Sequence, residues 1–194
     1  MTQPVAHIDG VDCPFGAEIS VALHARGVAI AAMKTSENID ILIVNRPVSV
    51  TQLRFDAVTD ADFDAAMSDM LYDVVEIVQS AVPRLLAGGR IVLVGSRGHL
   101  GAWGGVHLMA ASAALAGMMR TMALELSSSG PAGKGIAVNL VAAGFVGSTW
   151  DTPGSRRQVA NAVGFLAEPD TGLIGETVIV DGGRSLRMSE SRRQ

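Results

Sequence analysis

The sequence is poor in the residues that crosslinked, metal-binding and nucleic-acid-binding proteins depend on. Its 194 residues include one cysteine, Cys13, which excludes an intramolecular disulfide and favours a reducing, cytoplasmic setting. With only four histidines and no second thiol, we expect no zinc site. The net charge is −4 and the 15 basic residues are spread along the chain, so we expect no nucleic-acid partner.

The sequence also lacks the features of exported and membrane proteins. A basic segment followed by an apolar run, as in a signal peptide, is missing from the first residues. Residues 98–119 carry no charged side chain and are numerous enough to cross a bilayer. They contain five glycines and two histidines, however, which indicates a loop followed by a small-residue helix rather than a membrane span.

Apolar side chains are plentiful, at 48% of the residues against 18% charged, which is typical of a folded globular chain. The length predicts one domain, which we place at residues 1–183. Residues 184–194 contain four arginines and are predicted to form a flexible C-terminal tail.

Near-continuous apolar runs alternate with segments of helical periodicity. The runs predict buried strands at 5–8, 28–33, 39–44, 90–95, 136–141 and 176–180. Between them, 17–26, 60–83, 106–126 and 156–167 have helical spacing. Strands alternating with helices predict an α/β fold with a Rossmann-like, doubly wound parallel sheet. Only five residues, 34–38, separate the second and third strands, whereas a strand–helix unit needs about 30. We therefore expect one such unit to be lost after the second strand.

Four segments carry a family resemblance: GGRIVLVGS at 88–96, ASAALAGMMRTMALEL at 111–126, GIAVNLVAAGFVGST at 135–149, and 159–183, which closes with GETVIVDGG. In this order and spacing they resemble the second half of a short-chain dehydrogenase/reductase. The resemblance implies a Rossmann-fold, nicotinamide-dependent oxidoreductase that assembles as a dimer or tetramer.

The catalytic pattern of that family is incomplete here. The family uses a tyrosine as general acid and base, a lysine four residues later, and a serine about a dozen residues upstream. The serine is retained at Ser96, but alignment places Leu108 at the tyrosine position and Ser112 at the lysine position. The single tyrosine, Tyr72, is followed four residues later by Glu76. We therefore predict no catalytic residues, and a chain that is not an enzyme on its own.

The cofactor motif is also altered. The family's glycine-rich turn corresponds to residues 9–16, where Gly10 and Gly16 remain and Pro14 replaces the middle glycine. That glycine lets the backbone approach a pyrophosphate, whereas proline removes an N–H and adds a ring. Asp9 and Asp12 are expected to repel the dinucleotide. We predict that this chain binds neither NAD nor NADP, and that an active partner subunit does.

With the catalytic and cofactor positions altered, the main feature that still suggests a function is the surface of the two long helices. In the family, the two long helices form the principal subunit interface. The sequence thus predicts a non-catalytic partner subunit that stabilises or completes an active short-chain dehydrogenase/reductase in a hetero-oligomer. The expected interface residues lie on these helices: Met70, Val74, Ile77, Leu108, Ala113, Ala116 and Met119.

Two alternatives remain open at this stage. His107 lies next to the vacated tyrosine position, so a divergent oxidoreductase could use Ser96 with His107. The third possibility is a homodimeric protein that binds a small molecule.

Overall fold

The fold is a six-stranded parallel sheet between two layers of helices. The computed structural model describes residues 3–32, 38–49 and 53–187. The strands, in the spatial order β2-β1-β3-β4-β5-β6, are β1 (Val5–Asp9), β2 (Ala29–Ala31), β3 (Ile39–Asn45), β4 (Leu85–Ser96), β5 (Ala137–Ala143) and β6 (Thr177–Val180). All five neighbouring pairs are parallel, which confirms the predicted doubly wound sheet.

The strand order also confirms the predicted deletion. A complete Rossmann sheet has one more strand outside the second strand in its order 3-2-1-4-5-6. Here β2 is the edge strand, and β3 pairs directly with the other side of β1. The five-residue connection responsible for this, 34–38, lies outside the described residues except for Asn38, which is exposed.

Consecutive residues of the central strands point to opposite faces, and each face is covered by helices. Ile43 packs in a core with α1 (Gly16–His24) and α5 (Pro153–Ala167), whereas its neighbour Leu42 packs in a core beneath the helices of the opposite layer. The covering of both faces explains why the strand sequences are almost uniformly apolar.

The second layer contains α2 (Asp60–Met67), α3 (Asp73–Ala81) and α4 (Val106–Leu126). Thr59 begins α2 with a capping box in which its hydroxyl accepts from the Asp62 backbone N–H. The single helix predicted for residues 60–83 is interrupted by a π-helical turn, Ser68–Tyr72, which joins α2 to α3.

The predicted flexible tail begins as an ordered turn. Residues Arg184–Arg187 form a short 3-10 helix. The carboxylate of Asp181, itself only 3% exposed, accepts from Gly183 N at 2.9 Å and Ser185 N at 2.6 Å. These hydrogen bonds link the first residues of the tail to a buried carboxylate, and the flexibility of the tail stays a prediction. Residues 188–194 lie outside the described part.

Candidate functional site

The carboxyl ends of the parallel strands meet at one edge of the sheet, where doubly wound folds bind their ligands. Asp9 ends β1, Asn45 ends β3 and Ser96 ends β4. The loop 10–16, the start of α4 and the segment after β5 approach the same edge. We call this region the carboxyl edge.

Ser96 lies in a closed hydroxyl network at the carboxyl edge. Its Oγ accepts from Gly98 N at 3.1 Å and lies 3.0 Å from Ser112 Oγ. Ser112 Oγ donates to the Leu108 carbonyl at 2.7 Å, so the proton between the two hydroxyls comes from Ser96. Both serines are buried. The hydroxyl groups are therefore satisfied inside the protein.

The same contacts show where the residues predicted for the lysine and tyrosine positions lie. Ser112 faces Ser96 directly, so α4 brings the residue at the lysine position beside the retained serine. Leu108, at the tyrosine position, lines a cavity of about 450 Å³ together with Cys13, Pro14 and Arg46. Tyr72 is 69% exposed on the π-helical turn and does not line this cavity.

His107 is buried in a different place from Ser96. Its ring packs edge-on against Phe63 of α2, with ring centroids 6.1 Å apart. Within the described ranges, His107 Nδ1 has no hydrogen-bond partner, and Ser96 Oγ contacts only Ser112 Oγ and Gly98 N. The structure thus does not pair the serine and histidine of the divergent-oxidoreductase hypothesis.

The two retained glycines shape the 10–16 loop. Gly10 has a φ of +77°, and a Cβ there would lie 2.5 Å from the Asn45 carbonyl oxygen. A Cβ on Gly16 would lie 2.0 Å from the Val11 carbonyl oxygen. Asn45 Nδ2 donates to the Gly10 and Pro14 carbonyls, each at 2.9 Å. These glycines are therefore required for packing of the loop on itself and on β3.

The residues of this loop do not fit a dinucleotide. Pyrophosphates bind free backbone N–H groups at a helix N-terminus. Here Cys13 N and Gly16 N donate within the loop, at 3.1 and 3.0 Å, and Pro14 has no N–H. Phe15 and Trp150, both almost fully buried, pack edge-on with centroids 6.2 Å apart and fill the space between this loop and β5.

One electrostatic expectation is wrong. Arg46 Nη1 lies 2.6 Å from Asp9 Oδ2, so the negative charge of Asp9 is compensated by an ion pair. Asp12 is exposed, where water screens its charge. Repulsion by Asp9 therefore does not explain the misfit, which follows from the loop hydrogen bonds and from Pro14.

The segment between β5 and α5 is short and tightly fixed. Asp151 binds Arg156 through two hydrogen bonds of 2.7 and 2.9 Å and accepts from Gly147 N at 3.0 Å. The Arg156 guanidinium and this N–H hold the pKa of the Asp151 carboxyl below its ordinary value, against the opposing effect of burial. Thr152 then caps α5.

Arg97 is a residue of the carboxyl edge that the sequence does not single out. Its guanidinium carbon lies 4.9 Å from the Phe145 ring centroid, and its Nε lies 3.5 Å from Asp181 Oδ2. Arg97 directly follows Ser96 and lines a small cavity with Phe145 and Trp103. Its position after a strand end was the available signal, but its distant partners were not visible in the sequence.

The predicted interface residues separate into two groups. Met70, Val74 and Met119 are buried in the core of this chain, so their assignment to an intermolecular surface is corrected. Their apolar spacing reflects packing on the sheet and between α2 and α4. Ile77, Leu108 and Ala116 are half-buried, and Ala113 is exposed.

Across residues 3–32, 38–49 and 53–187, no group of three or more histidine, cysteine, aspartate or glutamate side chains could hold a metal ion. No helix in the same ranges is both long and apolar enough to cross a membrane.

Comparison with known proteins points to one family. Residues 2–152 match the family model described as enoyl-(acyl carrier protein) reductase. The structure resembles a short-chain dehydrogenase/reductase double mutant from Serratia marcescens, with a TM-score of 0.78, 25% identity, and coverage of 95% of this chain and 98% of that one.

Curated relatives are oxidoreductases. Subunit BbsC of (2S)-[(R)-hydroxy(phenyl)methyl]succinyl-CoA dehydrogenase from Thauera aromatica is 31% identical over 79% of this chain and 66% of its own. The 3-oxoacyl-[acyl-carrier-protein] reductase FabG from Escherichia coli is 29% identical over 75% of this chain and 66% of its own. The matches thus span about two thirds of the length of these relatives.

These relatives overturn one prediction. The sequence led us to expect a chain that is not an enzyme on its own, because the tyrosine and lysine are replaced. The family model, the reductase and the solved structure all belong to oxidoreductases, and they point to an enzyme. The replaced positions concern one site of this chain, and they do not exclude that the chain belongs to an enzyme.

Proposed function

Because this chain belongs to the short-chain dehydrogenase/reductase family, we propose that it is one subunit of an oxidoreductase built from two kinds of family chain. The second chain carries the Tyr-x-x-x-Lys pair and binds NAD or NADP. The reaction is a property of the assembly, which we place in the cytoplasm because the single cysteine fits a reducing compartment.

One observation carries this proposal: Ser112 Oγ lies 3.0 Å from Ser96 Oγ. The contact supports the alignment of α4 with the family's catalytic helix, so Leu108 and Ser112 stand where a general acid and a cofactor-holding cation are needed. Neither an isobutyl group nor a hydroxyl within a closed network supplies those functions. A partner that carries the general acid and the cation would explain why an oxidoreductase chain has Leu108 and Ser112 at these positions.

The loop 10–16 also supports the assignment of cofactor binding to the partner and not to this chain. Its Cys13 and Gly16 N–H groups are used internally and Pro14 has none, so the chain's own carboxyl edge offers a pyrophosphate few donors. The nicotinamide cofactor is therefore assigned to the partner.

The outer surface of α3 and α4 is the proposed contact with the partner. Ala113 is exposed there and Ala116 and Ile77 are half-buried, which allows a partner helix to approach closely. An apolar groove of about 320 Å³ between the two helices, lined in part by Met118 and Met122, continues this surface. A relative that is itself named as a dehydrogenase subunit supports an assembly of this kind.

The experiment is purification of the affinity-tagged chain from its native host, followed by mass spectrometry and activity measurement. We expect a stoichiometric second family chain with an intact Tyr-x-x-x-Lys pair, and nicotinamide-dependent turnover by the complex. Changing the partner's tyrosine to phenylalanine should abolish turnover. The same change in a matched tyrosine outside the pair is the control. A chain that purifies alone and turns over substrate with its own bound cofactor contradicts the proposal.

A further inference from the structure

Two large aromatic side chains lie exposed around one cavity near the carboxyl edge. Trp103 is 81% exposed and Phe55 is 80% exposed. Both line a cavity of about 590 Å³, together with Arg54, Asp56 and Gly104. Single exposed apolar residues are ordinary, but two aromatic rings on one concave surface are typical of a binding site.

A backbone hydrogen bond joins the two segments that carry these rings. Trp103 lies in a loop in which Gly101, Gly104 and Gly105 all have positive φ, a conformation that other residues adopt only with strain. Gly105 N donates to the Leu53 carbonyl at 2.7 Å, two residues before Phe55. The bond therefore holds the backbone near Phe55 close to the loop that carries Trp103.

The rim of this cavity carries no uncompensated charge. Arg54 binds Asp56 through two hydrogen bonds, Nε to Oδ1 at 3.0 Å and Nη2 to Oδ2 at 2.9 Å. Such a bidentate pair neutralises both groups. The cavity thus favours an uncharged ring over an anionic or cationic group.

A second cavity lies beside the first. Trp103 and Gly104 also line this second cavity of about 160 Å³, whose other walls include Arg97 and Phe145. Arg97 is the residue after Ser96, and its charge is balanced by Asp181. The second cavity therefore adjoins the first through Trp103 and Gly104.

We propose that Phe55 and Trp103 bind an uncharged aromatic ring of the substrate, which is an aryl-substituted carbonyl compound or alcohol. That the bound molecule is a substrate rests on the oxidoreductase function proposed above. The binding of an aromatic ring at this site does not depend on that function. Aromatic rings gain from stacked or edge-on contact with Trp and Phe beyond the area they bury, and a saturated ring of the same size does not.

The test compares 2-acetylnaphthalene with its fully saturated decalin counterpart, by calorimetric titration of the whole chain without cofactor or partner. We expect the aromatic ketone to bind about tenfold more tightly than the saturated ketone. Trp103→Ala and Phe55→Ala should each reduce this ratio towards one. Tyr72→Ala removes an equally exposed aromatic side chain elsewhere and should leave the ratio unchanged.

Equal binding of the two ketones by the wild-type chain overturns the inference, as does a ratio that survives both alanine substitutions. Both substituted positions are exposed, so we expect the variants to fold. Far-ultraviolet circular dichroism verifies this. Because this titration requires no second chain, loss of the proposed assembly would leave its result intact. Conversely, an active assembly that uses aryl and alkyl ketones equally would contradict the ring site alone.

Discussion

Ser96 donates its hydroxyl proton to Ser112, 3.0 Å away, and Ser112 in turn donates to the carbonyl of Leu108. The residue that we predict to replace the family's lysine is thus a hydrogen-bond partner of Ser96. Both side chains are buried, so water cannot replace either bond. This pair joins the end of β4 to the first turns of α4.

Ser112→Ala should destabilise the protein. It leaves the buried Ser96 hydroxyl without an acceptor, which costs about 1–3 kcal/mol. Ser80→Ala is the matched control, because the Ser80 hydroxyl donates to Ile77 O on an exposed helix surface. Urea denaturation measures both variants. Equal unfolding free energies would mean that the Ser96–Ser112 contact contributes no stability.

The isolated chain should not bind NADH or NADPH. Leu108→Tyr combined with Ser112→Lys should not produce reductase activity, because Pro14 has no N–H and the Cys13 and Gly16 N–H groups are used within the loop. Calorimetry measures binding, and loss of nicotinamide absorbance measures turnover. Escherichia coli FabG, run in parallel, verifies the assays. Binding in the micromolar range by the wild-type chain would show that the loop rearranges to accept the cofactor.

Ala113→Glu should dissociate the assembly. A carboxylate placed without a partner in a helix–helix interface costs several kcal/mol. Gln158→Glu places the same charge at an exposed position of α5 and should have no effect. Light scattering distinguishes the assembly from a chain of 20.1 kDa. If the wild-type protein is already a monomer, both alone and with a family partner, then α3 and α4 are not an interface.

Asp151→Asn should lower stability at pH 7, and the effect should disappear in acid. The pKa of Asp151 is lowered by its hydrogen bonds to Arg156, from an ordinary value of 3.8. A depressed carboxyl pKa contributes stability above the unfolded-state value, and this contribution is lost as pH falls through the folded-state value. The difference between wild type and variant should thus be constant above about pH 5 and shrink below 3.8.

Urea unfolding at several pH values provides this comparison. Asp56→Asn is a suitable control, since its pair with Arg54 is exposed at the surface and contributes little. A stability difference for Asp151→Asn that persists unchanged at the lowest pH would mean that hydrogen-bond geometry matters there and charge does not.

Local patterns predicted most of the fold. The helix expected at 106–126 has these bounds in the structure, because its apolar spacing is uninterrupted and glycines precede it. The short connection at 34–38 predicted the missing strand–helix unit, since chain length limits what can be built between two strands. Both conclusions depend on features that lie within a few residues of one another.

Predictions failed where the outcome depends on distant partners. Nothing in the sequence near Asp9 indicates Arg46, which neutralises it across two strand ends. Likewise, an apolar stripe such as that of Val74 and Met119 fits a core and an interface equally well. Only the packing of the sheet against α3 and α4 decides between them.

The π-helical turn Ser68–Tyr72 sets the rotation of α3 relative to α2 about their common axis. Compared with a regular helix of the same sequence, its one extra residue changes this rotation by about 100°, the angle between successive helical residues. Ala66 and Val78 are twelve residues apart and would lie about 120° apart on a regular helix, whereas the extra residue brings them to within about 20° of each other, so that both are buried. A regular helix of the same length would therefore turn one of the two residues towards solvent, and deletion of a single residue from the turn would keep both on the buried side.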